Sequence, residues 1–229
     1  MFDTKWITIH DTAVDGNAPF NANLAAKAAD GTPFKRPENG VFRPDGKFNE
    51  FYFDETGDTN ATSPENACCG GWESIFTLTQ ADPSANTGKL AIFFKGDQAH
   101  AGFDNLAFFT DDLLLAVEDA GDNLHTQRNA LDSGYALDVT KNYANSANTP
   151  VRWLAEGRDA SATLDADNAG FGKNDQDNEI TGIHVSDGDP TANGILGRKA
   201  PHPFELNGKW RVFYTQQHGD NTTWEVVRP

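Results

Sequence analysis

Short runs of apolar, aromatic and β-branched residues recur along the chain, and clusters of Gly, Asp and Asn separate them. Runs of this length and composition between turn-forming residues predict β-strands. Residues 19–28 differ, because Ala and Leu dominate there and no Gly intervenes, which predicts a helix. The predicted strands are residues 6–10, 51–53, 74–79, 90–94, 106–109, 113–117, 135–139, 151–154, 180–185, 210–214 and 223–227.

This pattern predicts an all-β fold of propeller-like antiparallel blades. The 229 residues contain no break in composition, so we expect a single domain over 1–229. About ten strands make roughly two and a half to three four-stranded blades, whereas closed propellers have about 4–8 blades. The propeller is therefore expected to be incomplete. Its open edges require self-association, packing as a sandwich, or a longer protein of which this chain is a part.

The charge of the chain indicates which partners it attracts. There are 34 acidic and 18 basic side chains, which give a net charge of -16. Such a chain repels nucleic acid and anionic membrane surfaces and attracts cations, so we expect neither a nucleic-acid nor a membrane partner. There is also no apolar run near the roughly 20 residues that cross a bilayer, and no signal-peptide pattern. Alternatively, the charge only keeps a salt-tolerant or secreted protein soluble.

Long loops rich in Gly, Asp and Asn connect several strands, notably residues 54–71, 118–133 and 159–178. Loops above about 12–15 residues are uncommon in compact domains unless they carry function or are disordered. Clustered carboxylates repel one another unless a cation neutralises them. The loops therefore predict either bound metal ions or mobility.

Two acidic clusters are candidate calcium sites. Glu118, Asp119 and Asp122 directly follow the predicted strand 113–117, and a strand end offers a hard cation several oxygen ligands at once. A solvated turn is the alternative. The second cluster, residues 174–179, ends at Glu179 and spaces oxygen ligands at alternate positions, but it lacks the twelve-residue EF-hand pattern.

Arg36 and Glu38 stand two positions apart, and on an extended backbone their side chains share one face. This arrangement suits a guanidinium that binds a phosphate oxygen beside a carboxylate that binds a metal touching the same phosphate. A surface turn is the alternative interpretation.

Three further residues are candidates for the site. Asp104 and Asn105 stand immediately before an apolar run, where a turn is the structural alternative. His218 follows the predicted strand 210–214 and offers a metal ligand, a proton donor or a phosphate contact, although an incidental surface histidine fits equally. No G-x-S-x-G motif is present, so a serine nucleophile has no support.

Four motifs stand in order along the chain: R-P-E at 36–38, F-D-N-L-A-F at 103–108, N-E-I-T-G at 178–182 and Q-Q-H-G at 216–219. Taken together and in this order, they resemble the PhoX-type alkaline phosphatase family. The resemblance runs from about residue 30 to the C-terminus and corresponds to the latter part of such proteins. Family members are propellers, usually exported, whose phosphatase site at the channel mouth combines iron with calcium ions.

The resemblance implies a metal-dependent phosphoric monoester hydrolase with a small phosphate ester as substrate and a periplasmic or extracellular location. Arg36 would bind the phosphate, with Asn105 beside it, and Arg36 and His218 would serve catalysis. Glu38 would be a metal ligand, and Asp104 and Glu179 would lie in or near the site. The metal ions would neutralise phosphate charge and position an activated oxygen nucleophile.

The cofactors that follow are Ca²⁺ and, with less support from the residues, Fe³⁺. The iron-ligating cysteine segment in the N-terminal half of the family is absent, and Cys69-Gly-Gly-Trp72 follows the R-P-E motif instead of preceding it. Two other hypotheses stay open: a non-catalytic, calcium-stabilised module, and another propeller hydrolase of phytase-like or lactonase-like type. A homo-oligomer that completes the propeller is compatible with any of them.

Overall fold

A computed structural model describes residues 1–45, 47–57, 72–120, 130–156, 179–186, 211–217 and 221–226. These residues form twelve strands and two short helices. The strands are β1 Phe2–Lys5, β2 Pro37–Phe42, β3 Glu50–Glu55, β4 Ser74–Gln80, β5 Thr87–Lys95, β6 Phe103–Phe108, β7 Leu113–Glu118, β8 Asp132–Asp138, β9 Val151–Glu156, β10 Ile180–Ser186, β11 Arg211–Gln216 and β12 Thr223–Val226, and the helices are α1 Thr12–Asp15 and α2 Ala22–Ala28.

The strands form three antiparallel sheets with the orders β1-β5-β4-β3-β2, β6-β7-β8-β9 and β10-β11-β12. Within the sheets most neighbours are consecutive along the chain, as expected for strands joined by hairpins. The all-β prediction is therefore confirmed. The described strands form three separate sheets and not a closed ring of blades.

The second sheet lies between the other two. Its edge strand β6 packs against β2 and β3 of the first sheet and against β10 of the third. One apolar core, which includes Tyr52, Ile75, Phe103 and Leu114, fills the space between the first and second sheets. A smaller cluster around Val117, Ile180 and Tyr214 joins the second sheet to the third. The edge strands β2 and β10 thus both lie next to the edge strand β6.

Alternation along β3 decides which side chains enter the core. Tyr52 and Asp54 are 3% and 0% exposed and point to the side of the second sheet. Phe51 and Phe53 point to the opposite face of the first sheet, because side chains of a strand alternate between faces. The aromatic run thus carries a carboxylate, Asp54, into the region between the sheets.

Several details differ from the sequence prediction, which also did not include the short helix α1. The strand predicted at 6–10 is wrong, since the N-terminal strand β1 ends at Lys5, and Trp6 makes a last bond to Asn86 with its N–H at 2.9 Å. Beyond that point β5 offers no further partner, because its first residue, Thr87, already pairs with Lys5. Strand β2 was not expected, because Pro37, Asn39 and Gly40 are typical of turns; a bulge between Pro37 and Gly40 accommodates them.

The helix predicted at 19–28 is confirmed over residues 22–28 as α2, while residues 19–21 precede the helix. The side chain of Asn21 caps it by accepting a hydrogen bond from the N–H of Leu24 at 3.0 Å. No helix in the described ranges is long and apolar enough to cross a membrane.

Candidate metal centre

Carboxylates on or next to strands of all three sheets collect around β6, which contacts β2, β3 and β10. We call this group the carboxylate row. Each member either raises the pKa of another member through its negative charge or has its own pKa raised by such a charge. The members are Glu38 on β2, Asp54 on β3, Asp104 on β6, Asp119 after β7 and Glu179 before β10.

Asp54 is the most deeply buried member of the row, with no exposed surface. Its Oδ1 accepts a hydrogen bond from the backbone N–H of Asn39 at 2.8 Å. Its Oδ2 is buried and has no hydrogen-bond partner in the described part of the chain. Burial raises the pKa of Asp54 to about 7, and the nearby charges of Asp104 and Glu38 add to this effect.

Asp104 faces the same region from the second sheet. Burial raises its pKa to about 6 and the charge of Glu38 adds to the rise, while a hydrogen bond from Asn105 and the charge of Arg36 oppose it. In this bond the Asn105 side-chain amide donates to Oδ2 of Asp104. Both residues lie inside β6 and not before it, at a bulge between Phe103 and Asn105. A bulged strand thus takes the place of the turn that was the structural alternative. Bulges commonly redirect side chains next to functional sites.

Asp119 and Glu179 form a hydrogen-bonded carboxyl pair. Burial first, and then the charge of Glu179 and the hydrogen bond between them, raise the pKa of Asp119 well above its usual range. Glu179 also accepts a hydrogen bond from Nε2 of Gln217 at 2.6 Å. Two carboxyl groups this close hold a proton between them when no cation is bound.

The side chains of Arg36 and Glu38 lie close together, but the backbone at Arg36 does not have the expected extended conformation. Arg36 has a φ of 55°, in the left-handed region, so the prediction of an extended backbone is wrong at this residue. The N–H of Thr56 donates to the carbonyl of Arg36 at 2.9 Å and holds this turn. The side chains still form an ion pair, with Nη2 of Arg36 3.8 Å from Oε1 of Glu38. They are 44% and 37% exposed, so the pair sits at the rim of the row.

Glu118 is fully buried as the last residue of β7. Its Oε1 accepts a hydrogen bond from the N–H of Ala101 at 2.8 Å. At the next residue Oε2 of Glu73 accepts from the N–H of Gly102, whose φ is 72°. These contacts support the turn that precedes β6; a role of Glu118 as a metal ligand stays a prediction.

Some predicted site residues cannot be compared with the structure. His218, Asp122 and residues 174–178 lie outside the described residues, as do Cys69 and most of the loop 54–71. Of the loop 118–133, Glu118 belongs to β7, and Asp132 and Ser133 belong to β8.

Two carboxylates were missed by sequence reasoning. Asp54 follows the aromatic run in F-Y-F-D, and its spacing of two from Tyr52 could have indicated that it shares the buried face. Asp132 begins β8 and accepts hydrogen bonds from the N–H of Ala120 at 3.2 and 3.3 Å. Its charge also raises the pKa of Asp119.

The described side chains form a row and not a finished ligand cage. Within the described ranges, no three His, Cys, Asp or Glu side chains are grouped closely enough to hold a metal ion. Comparison with known proteins supplies no relative, because no family model, curated protein or solved structure matches the chain.

Proposed function

We propose that the chain is a metal-dependent phosphoric monoester hydrolase whose carboxylate row binds Ca²⁺. The observation that carries the proposal is Oδ2 of Asp54, a buried oxygen without a hydrogen-bond partner in the described chain. Buried polar atoms nearly always have a partner, and a calcium ion is a suitable one for a carboxylate between other carboxylates.

The chemistry of the row fits a hard cation. Calcium takes about 6–8 oxygen ligands, from carboxylates, amide carbonyls and water. The row provides carboxylates on three sheets, and the amide of Asn105 lies next to Asp104. Without a cation, Asp54 and Asp104 keep their protons to a higher pH than usual, because burial and neighbouring charges raise their pKa values. A cation that replaces these protons relieves the repulsion between the carboxylates.

Arg36 is the residue proposed to bind the phosphate. Its Nη2 lies 3.8 Å from Glu38, which is longer than a hydrogen bond, and the side chain is 44% exposed. The guanidinium is therefore able to bind a phosphate oxygen at the rim of the row without breaking a buried bond. His218 is proposed to give a proton to the leaving oxygen, and Asn105 to orient the ester.

Bound calcium would supply positive charge to the phosphate oxygens. Glu38, Asp104, Asp119 and Glu179 are the residues proposed to hold it together with Asp54, and Glu118 is a further candidate ligand. Fe³⁺ as a second ion comes from the family resemblance alone, since the described ranges contain no cysteine. A phytase-like hydrolase would use the same carboxylates, and its substrate range would distinguish it.

One observation favours a non-catalytic alternative. The row joins β2 and β3 to β6 and continues to the residue before β10, so cations bound along it would link neighbouring sheets. A calcium ion in this position stabilises the fold whether or not a substrate binds. The alternative is therefore a calcium-stabilised module on the same residues.

We further propose self-association and a periplasmic or extracellular location. Trp224, on β12 at the outer edge of the third sheet as far as the chain is described, is 47% exposed, and Ile92 on the first sheet is 50% exposed. Exposed apolar side chains and open sheet edges favour contact with another subunit.

Hydrolysis of p-nitrophenyl phosphate tests the proposal. Purified protein is assayed as isolated, after chelation, and after return of calcium, iron or both. Turnover that chelation removes and calcium restores supports the phosphatase. Absence of turnover in all conditions, with calcium still raising the melting temperature, supports the non-catalytic module instead.

A further inference from the structure

The first sheet has an open cavity on the face turned away from the second sheet. Its volume is about 1100 Å³, close to the upper end of the range of about 300–1,000 Å³ that is usual for ligand pockets. The floor consists of Phe51, Phe53, Leu78 and Leu90 on strands β3, β4 and β5. We call it the aromatic cavity.

The floor of the aromatic cavity is fixed by ring packing. Phe53 stacks on Phe76 with a centroid distance of 5.2 Å, and the edge of Phe34 meets Phe53 at 5.1 Å. Phe51 lies 5.9 Å from Phe53. A surface of packed rings is preformed, so a ligand ring that binds there displaces water without rearranging the sheet.

One part of the cavity wall is apolar and partly exposed to solvent. Trp6, Ile7 and Ile9 line it from the segment after β1 and are 60%, 37% and 38% exposed. A protein rarely leaves such side chains together around an open cavity unless something binds there.

The aromatic cavity and the carboxylate row share strand β2. Glu38 and Asn39 line the cavity. Glu38 is also the ion-pair partner of Arg36, and the N–H of Asn39 binds Asp54. A molecule that fills the cavity therefore has polar contacts at the rim of the row, besides those that Asp3, Lys5 and Asp30 offer elsewhere in the lining.

We propose that the aromatic cavity binds the aromatic ring of a phosphate monoester whose phosphate lies beside Arg36. This inference names the substrate class of the proposed hydrolase and rests on that proposal for the phosphate position. In an aryl ester a single oxygen joins the ring to the phosphorus, and Glu38, the ion-pair partner of Arg36, lines the cavity that would hold the ring. The cavity binds the aromatic ring of the ester, and the guanidinium of Arg36 binds its negatively charged phosphate.

A displacement assay tests the inference without requiring turnover. N-phenyl-1-naphthylamine, a neutral dye that fluoresces in apolar sites, is bound to calcium-loaded protein. It is then displaced with 1-naphthylmethylphosphonate, which cannot be hydrolysed, or with 1-naphthylmethanol, its uncharged match. We expect the phosphonate to displace the dye at a concentration at least about tenfold lower than the alcohol, and inorganic phosphate alone not to displace it.

Three variants localise the effect. The double variant Ile7→Asp, Ile9→Asp changes only partly exposed wall residues and should weaken dye binding at least about tenfold. Arg36→Gln should keep dye binding and remove the advantage of the phosphonate. Val151→Asp is the matched control, because Val151 is 65% exposed on β9 of the second sheet and does not line the cavity; it should leave both dye binding and the advantage of the phosphonate unchanged.

The outcomes separate this inference from the proposed function. Failure of the dye to bind, or equal displacement by phosphonate and alcohol, overturns the assignment of the cavity even if the chain hydrolyses p-nitrophenyl phosphate. Conversely, the expected displacement pattern with no turnover of any ester supports the cavity and its phosphate contact and rejects the hydrolase alone.

Discussion

The backbone N–H of Asn39 on β2 donates to Oδ1 of Asp54 on β3 at 2.8 Å, while Oδ2 of Asp54 stays buried without a partner in the described chain. One oxygen is thus used to hold two strands together, and the other is left beside Asp104 and Glu38, whose charges act on it. In the proposed cation site, this second oxygen of Asp54 is a ligand of the bound ion.

Replacement of Asp54 by Asn tests its place in the row. Asp54→Asn removes a buried charge, so the metal-free variant should be as stable as the parent or more stable at pH 8. The increase in melting temperature that calcium produces should fall by at least half, because a buried ligand is lost. Thermal unfolding with and without calcium measures both. Asp3→Asn is the control, since Asp3 is 88% exposed and pairs with Lys89 far along the first sheet; an equal loss in both variants refutes the role of Asp54.

The stability of the metal-free protein should depend on pH in a defined direction. Asp54 and Asp104 have folded-state pKa values raised to about 7 and about 6, whereas an unfolded Asp titrates near about 3.9. The folded state therefore binds more protons, so its stability is greatest below about pH 4 for these groups and is lost as the pH rises through about 6 to 7. Urea unfolding at pH 5 and pH 8 should show a loss on the order of 2–4 kcal/mol from this source.

Calcium should oppose the loss of folding stability that the metal-free protein shows as the pH rises. The ion binds the ionised carboxylates, so its stabilising effect should be larger at pH 8 than at pH 5. The same urea series with saturating calcium measures the difference. A calcium effect that is independent of pH would mean that the ion binds somewhere other than the row.

Gly102 is expected to position Asp119. Its φ is 72°, and an added Cβ would lie 2.7 Å from Cα of Ala120 and 2.9 Å from the carbonyl oxygen of Asp119. Gly102→Ala should therefore cost about 1–3 kcal/mol and displace Asp119, which reduces calcium affinity. Gly16→Ala is a matched control, because Gly16 has a φ of 74° but nothing within 4 Å of the added Cβ. If calorimetry finds equal calcium affinity in the two variants, displacement of Asp119 is not important for the site.

Glu38→Ala tests the rim of the row. Glu38 is 37% exposed, so the variant should fold normally and shift the melting temperature by only a few degrees. Metal-dependent hydrolysis should be lost, because a proposed ligand and the partner of Arg36 are removed together. Glu225→Ala breaks a similar exposed pair, between Glu225 and Arg211 on the third sheet, and should retain full activity. Retained activity in Glu38→Ala would reject the role transferred from the family.

Local sequence pattern predicted most of the strands because short apolar, aromatic and β-branched runs lie between clusters of turn-forming residues. It missed β2, since Pro37 and Gly40 resemble turn residues and only the bulge allows them to pair with β3. It also placed Asp104 before its strand and not within it.

The candidate site was predictable only in part. Arg36, Glu38, Asp104, Asp119 and Glu179 were chosen from short motifs, but nothing local indicates that they meet. Their proximity comes from the packing of β6 against both neighbouring sheets, which joins residues far apart in the sequence. The burial of Asp54 depends on the same packing, and the aromatic cavity depends on residues 6–9 leaving the sheet after Lys5.

Calcium titration of chelator-treated protein by calorimetry at pH 8 is the most direct test of the central claim. The carboxylate row predicts saturable calcium binding that Asp54→Asn and Asp104→Asn each weaken at least about tenfold and that Asp3→Asn leaves unchanged. Calcium binding of equal affinity in all four proteins, or no binding in the parent protein, would contradict the account.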